Sequence, residues 1–181
     1  MNDFGRTLRL LLGAGVDLVV IGGVAHAAQG GTHVTYDLDI CYDRSGANVS
    51  RLAKALKPYH PRLRGVADEV LFCLDPATIS HGLNFTLTTD LGDLDLFGAV
   101  AGLGTYNRVR AFSTVIPLFG LPCSVLSVEG LIRAKRAAGR TKDLLVLPEL
   151  EALLEVASQV EPNSAEAEAG SGSAEDRDKG R

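Results

Sequence analysis

The stretch Tyr36-Asp37-Leu38-Asp39-Ile40-Cys41-Tyr42 alternates with period two, and this alternation limits the fold more than any other feature of the chain. A period of two marks a β-strand, because successive side chains leave a strand on opposite faces. Tyr36, Leu38 and Ile40 share one face; Asp37, Asp39 and Cys41 share the other. Same-face neighbours stand roughly 6.6 Å apart at Cα, from a rise of ~3.3 Å per residue. Two acids on one strand oppose β-propensity. A local rule broken inside an otherwise apolar strand points to chemistry rather than packing.

The segments around this strand are read from pattern. Asn2 or Asp3 caps a first helix that carries Phe4, Leu8, Leu11 and Leu12 at helical spacing, ended by Gly13 and Gly15. Asp17 to Ile21 is a short β-branched run, hence a buried strand. Gly22-Gly23 breaks it, and Val24 to Gln29 is a short Ala-rich helix. A helix runs from Ser45 to about Lys57, stopped by Pro58 and Pro61. Val70–Leu74, Leu83–Thr89 and Asp93–Phe97 are strand segments, the last two separated by a turn at Leu91-Gly92. Arg108 to Val125 holds short β-like runs around Pro117, Gly120 and Pro122. Ser127 caps a Lys- and Arg-rich helix to about Ala138, and Thr141 caps a last helix from Lys142 to about Ala157. The order predicts an α/β (α+β) fold: a mixed β-sheet flanked by helices, with a helical C-terminal end.

Composition and charge set the organisation. At 181 residues, 46% hydrophobic and 22% charged, the chain suits one core. Residues 1–157 form one domain, with a core over 16–125 and C-terminal helices over 127–157. The net charge is -4, but from Ala157 onward six acids face three bases, so the remainder is near neutral. Residues 158–181 are an acidic Ala/Gly/Ser tail with too few apolar anchors to offset ordering entropy, and are expected to be disordered. Cys41, Cys73 and Cys123 have no metal-ligand spacing and read as small buried hydrophobes in a reducing compartment. The apolar run Val16–Ile21 is too short to span a bilayer. No signal-peptide pattern is present, so the expected location is cytoplasmic, with no membrane partner.

Three pieces carry chemistry. Asp37 and Asp39 can converge on hard cations, which take carboxylate oxygens. Gly22-Gly23 follows one apolar strand and opens a helix, where glycines let a backbone approach a phosphate. Asp95, bracketed by Leu94 and Leu96, is a candidate third metal ligand or general base. Asp93 has the same parity, and the sequence leaves the choice between them open. His26 lacks a second His or Cys at ligand spacing and reads as structural. His60 and His81 are placed in loops.

Gly22-Gly23-Val24-Ala25-His26, Gly30, Thr35, Asp37-Leu38-Asp39-Ile40 and Gly92 to Asp95 together resemble the polymerase-beta-like nucleotidyltransferase superfamily. The segment Leu131 to Asp143, followed by Leu147-Pro148-Glu149-Leu150, resembles the AbiEii-type toxins of type IV toxin–antitoxin systems. The resemblance spans about Val16 to Leu154. It implies transfer of a nucleoside monophosphate from an NTP to a hydroxyl of an RNA, such as a tRNA end, or of a protein, with Mg²⁺ or Mn²⁺ as cofactor. Asp37, Asp39 and Asp95 would hold the metal, and Asp95 would also orient or deprotonate the acceptor. Gly22, Gly23 and Thr35 would meet the nucleotide. Lys135, Arg140 and Lys142 would clamp the triphosphate, with Asp143 orienting Lys142 or a neighbouring Arg. A cognate antitoxin is the implied protein partner. A module that binds nucleotide or a partner without transfer is the alternative. The chain departs from the pattern at His33, where relatives often carry Arg; that exchange makes the charge at this position depend on pH.

Overall fold

The computed structural model describes residues 3–32, 34–67 and 71–160. Its centre is a seven-stranded mixed sheet in the order β3-β4-β5-β2-β1-β9-β8. The strands are β1 (Leu18–Ile21), β2 (Asp37–Tyr42), β3 (Arg62–Leu63), β4 (Asn84–Thr89), β5 (Gly92–Phe97), β8 (Ser113–Leu118) and β9 (Leu121–Leu126); β6 (Ala99–Val100) and β7 (Gly104–Thr105) form a separate ribbon. The helices are α1 (Phe4–Gly13), α2 (Gly22–Ala28), α3 (Gly46–Leu56), α4 (Pro76–His81), α5 (Tyr106–Ala111), α6 (Val128–Ala138), α7 (Thr141–Leu144) and α8 (Leu147–Val160).

β1 is central and all four of its residues are buried, which is why it reads as a continuous apolar run rather than an alternating one. β2 pairs antiparallel with β1 and parallel with β5. The predicted alternation holds in both outer partners: Leu38, Ile40, Leu94 and Leu96 are buried, while Asp37, Asp39, Asp93 and Asp95 lie on the opposite, partly open face. The apolar face packs into one continuous core with Leu8 and Leu11 of α1 and Val49, Leu52 and Leu56 of α3. Asp3 caps α1 by accepting from the Arg6 amide at 2.8 Å. Ser127 caps α6 by accepting from the Gly130 amide, and Gly139 ends it at φ 64°.

Several expectations are corrected. Arg108 to Ala111 is helical, the end of α5, and buries Val109 fully in the core. Leu71 to Leu74 makes no strand; Leu71 is fully exposed, and the segment leads into Asp75, whose carboxylate caps α4 ahead of Pro76. (Val70 lies outside the described residues.) His81 therefore closes a helix rather than sitting in a loop. The last helix is two: α7 is capped at Arg140 rather than Thr141, a turn follows at Leu145-Val146, and α8 restarts so that Pro148 occupies a first turn, where its missing N–H costs nothing. α8 runs three residues past the expected limit at 157. The tail expectation for 161–181 and the departure at His33 lie outside the described residues. Cys41 and Cys123 are buried, but Cys73 is exposed.

Candidate functional site

Strand register builds the acid group. In the parallel β2–β5 ladder Asp37 stands opposite Asp93 and Asp39 opposite Asp95, so four carboxylates share one sheet face. Asp37, Asp39 and Asp95 each bring an oxygen within 4.8 Å of the others. Asp93 does not join that group; it accepts from the Thr88 hydroxyl at 2.9 Å and pairs with Arg64. By position, then, Asp95 rather than Asp93 stands with Asp37 and Asp39. Three convergent carboxylates are a hard-oxygen donor set, and they fit Mg²⁺ or Mn²⁺ better than softer ions.

Asp39 is seated by the two glycines. A Cβ on Gly22, at φ +62°, would fall 1.9 Å from the Asp39 carboxylate, and a Cβ on Gly23 would strike Thr35. In this structure the protein's own side chains, Asp39 and Thr35, closely approach Gly22 and Gly23. Burial pushes the Asp39 carboxyl up to about 7, reinforced by Asp37 and Asp95 and opposed by the Gly23 amide and Lys142. Burial also raises Asp95, against the pull of Arg64. Thr35 donates to the Asp37 carboxylate at 2.9 Å and so braces that acid.

Arg64 is the residue that the sequence reading missed. It follows the two-residue edge strand β3, and its Nη2 lies 2.7 Å from Asp95 and 3.5 Å from Asp37, while Nη1 lies 3.1 Å from Asp93. No motif marks it; only the register of β3 on β4 carries it across the sheet face.

The C-terminal cations lie around a second acid. Asp143 is 4% exposed. It accepts from Lys135 at 3.3 Å and from Arg140 at 2.5 Å; of the two expected partners, Lys142 or a neighbouring Arg, it is the Arg that pairs with it. Burial alone would raise its pKa, but these bonds outweigh it and hold the carboxyl below the usual range. Lys142 is exposed, makes none of the ion pairs among the described residues, and lies close enough to Asp39 to lower its pKa. Between the two groups lies a cavity of about 330 Å³. Phe97, Val100, Leu131 and Ala134 give it an apolar wall; Asp39, Lys135 and Arg140 give it a polar mouth.

His26 is structural, as expected. It is fully buried, 3.2 Å from Glu149 of α8, and Gly31 passes over its ring where no Cβ would fit. No helix among the described residues is long and apolar enough to cross a membrane.

No family model matches the chain, and no curated protein matches it in sequence. Solved structures do. The nucleotidyltransferase ANT(2″)-Ia, in complex with adenylyl-2″-tobramycin, is 15% identical, with a TM-score of 0.50 over 86% of this chain and 97% of that one. A Thermotoga maritima protein with a provisional nucleotidyltransferase assignment is 16% identical, with a TM-score of 0.48 over 85% of this chain and 92% of that one. At this identity the likeness to ANT(2″)-Ia is one of fold: a mixed sheet flanked by helices with a helical C-terminal end.

Proposed function

We propose that this chain is a divalent-metal-dependent nucleotidyltransferase that moves a nucleoside monophosphate from an NTP to an acceptor hydroxyl. The observation that carries the reading is the convergence of Asp37, Asp39 and Asp95 oxygens within 4.8 Å on adjacent strands. A bound Mg²⁺ or Mn²⁺ would neutralise phosphate charge and lower the pKa of a coordinated hydroxyl. Asp37 and Asp39 would hold that ion, and Asp95 would help hold it while orienting the acceptor hydroxyl. The proton leaves the acceptor oxygen for a site carboxylate as the O–Pα bond forms. The bond from Pα to the pyrophosphate breaks on the opposite side. Lys142, Lys135 and Arg140 receive the triphosphate charge. The apolar wall of Phe97, Val100 and Leu131 suits a nucleoside, and about 330 Å³ is room enough for one.

The acceptor we assign is an RNA hydroxyl, with a tRNA end first and a protein hydroxyl second. This rests on the resemblance of the 131–143 segment to toxin-type transferases, which also supplies the antitoxin as a partner. An acceptor of the kind seen with ANT(2″)-Ia, an aminoglycoside, is the third class to test. The domain ending with α8 is taken to carry the activity as one unit.

The test is incubation with each labelled NTP, Mg²⁺ or Mn²⁺, and RNA, protein and aminoglycoside acceptors. Label transfer that Asp37→Asn and Asp39→Asn abolish is the expected result. NTP binding without transfer to any acceptor would leave a nucleotide-binding module, and absence of NTP binding would refute both.

A further inference from the structure

Arg64 has no role in that reaction scheme, yet it is the most highly paired cation in the described structure. We propose that it is a displaceable latch on the carboxylate group: in the metal-free protein its guanidinium holds Asp37 and Asp95, and a divalent ion enters only as Arg64 withdraws onto Asp93. The inference rests on the metal reading above.

The geometry is specific. Nη2 lies 2.7 Å from Asp95 Oδ1 and 3.5 Å from Asp37 Oδ2, and these are two of the three carboxylates that converge. Nη1 lies 3.1 Å from Asp93 Oδ2, and Asp93 is outside that group. One guanidinium nitrogen thus sits on candidate metal ligands, while the other sits on a carboxylate that metal binding leaves alone. Arginine's planar fork suits such a split hold. Asp39, the third convergent acid, has no contact with Arg64 within ion-pair distance.

A carboxylate has lone pairs for more than one partner, so Asp95 could in principle serve both cations. Repulsion argues against it. A divalent ion bound between Asp37 and Asp95 would face a full positive charge a few ångströms away in a partly buried site, where screening is weak. The contact to Asp37 is the longest of the three and is the one expected to break first. The attachment of Arg64 permits the movement: it follows a two-residue edge strand, its amide bonds Thr86 at 2.9 Å, and the chain turns at once through Gly65 at φ +77°. The side chain is 28% exposed, so it has room on the solvent side. The competing view is a permanent strut that positions Asp95 whether or not metal is bound.

The experiment is Mn²⁺ titration by calorimetry, without nucleotide, on wild type, Arg64→Gln and Arg64→Lys. A latch predicts that Arg64→Gln binds Mn²⁺ at least about fivefold tighter, the lower end of ordinary coupling between sites. Arg64→Lys should fall between, since a point charge cannot bridge two carboxylates. Wild-type or weaker affinity in Arg64→Gln overturns the latch and leaves the metal reading intact. Failure of both wild type and variant to bind Mn²⁺ overturns the two together. A second readout needs no folded Gln variant: the Arg64 side-chain Nε–H resonance of the wild type should move on Mg²⁺ addition, and an unmoved resonance in the bound state overturns the latch.

Discussion

The acid group on β2 and β5 and the Asp143 group on α6 and α7 use the same residue types in opposite proportion. On the sheet, four acids stand beside one paired cation: Arg64 bonds Asp37, Asp93 and Asp95 and leaves Asp39 without it. Beyond α6, Asp143 alone is shared by Lys135 and Arg140. Both groups are partly buried, so neither imbalance is fully relieved by water. The first leaves Asp39 raised to about 7; the second leaves Asp143 lowered. One group therefore lacks positive charge and the other lacks negative charge, and they flank one cavity. A metal–triphosphate complex carries both missing charges in the right order. That complementarity is a stronger argument for the proposed substrate than either group alone.

The comparison breaks most visibly at Asp39. Asp39→Asn and Asp37→Asn remove a metal-facing charge with little change of shape. Each is expected to lower nucleotidyl transfer by about 10³-fold or more, on the scale of losing a preorganised electrostatic contact in a closed site. Asp143→Asn should lower it far less, since it leaves both cations in place. Single-turnover rates with saturating NTP decide this; equal losses at the two acids would erase the distinction drawn here.

The two acids also set opposite slopes of stability against pH. Asp39 titrates near 3.8 when unfolded and about 7 when folded. Between those values the folded state holds the extra proton, so stability falls as pH rises from 4 to 7 and stays reduced above it. At about 1.4 kcal/mol per unit, the shift from 3.8 to about 7 limits the loss to at most about 4–5 kcal/mol. Asp39→Asn should abolish that slope and be more stable than wild type at pH 8, though inactive. Urea midpoints at pH 5 and 8 measure it; an unchanged slope in the variant means another group causes it. Mn²⁺ at a hundred times its Kd should return about 2.7 kcal/mol to the wild type and almost nothing to Asp39→Asn.

The acid side of this comparison was legible in the sequence, and the cation side only partly. Asp37 and Asp39 announce themselves because alternation fixes a strand face without any knowledge of partners. Asp95 needed one further fact, the parallel register of β5 on β2, which no local pattern encodes. Arg64 was illegible because β3 is two residues long and has no alternation to reveal a face. Lys135 and Arg140 were found, and the Asp143 pairing with a neighbouring Arg was one of two expected; its bond to Lys135 was not foreseen. The turn through Gly139 between α6 and α7 brings Asp143 back to Lys135 of α6, a reversal that depends on a single left-handed residue. Gly22 and Gly23 were legible as places of close approach, but the side chains that approach them were not. The carboxylate that fills the space above Gly22 comes from the neighbouring strand.

Asp143→Asn tests the other half of the comparison. Its pKa is lowered in the folded state, so its contribution is present above the unfolded value of 3.8 and is lost as pH falls through the folded value. The substitution should cost about 1–2 kcal/mol at pH 7. That is the range of charge-assisted hydrogen bonds, reduced because the Arg140 side chain is 63% exposed. The deficit should close toward pH 3. A deficit that persists in acid would mean Asp143 acts through packing rather than charge.

Lys142 should give the smallest effect, and the most diagnostic one. It is exposed and makes none of the ion pairs found among the described residues, so Lys142→Ala should leave stability within about 0.5 kcal/mol of wild type. What stability change there is should be a loss, because Lys142 is one of the groups that lower the Asp39 pKa. In binding, the change should raise the KM for NTP several-fold, about 0.5–1 kcal/mol for one screened cation, with kcat reduced less. Lys135→Ala would confuse loss of substrate contact with loss of its bond to Asp143; Lys142→Ala does not. An unchanged KM would place the triphosphate nearer Lys135 and Arg140 than Asp39. The two charge groups would then act on different parts of the substrate rather than on one metal–phosphate complex.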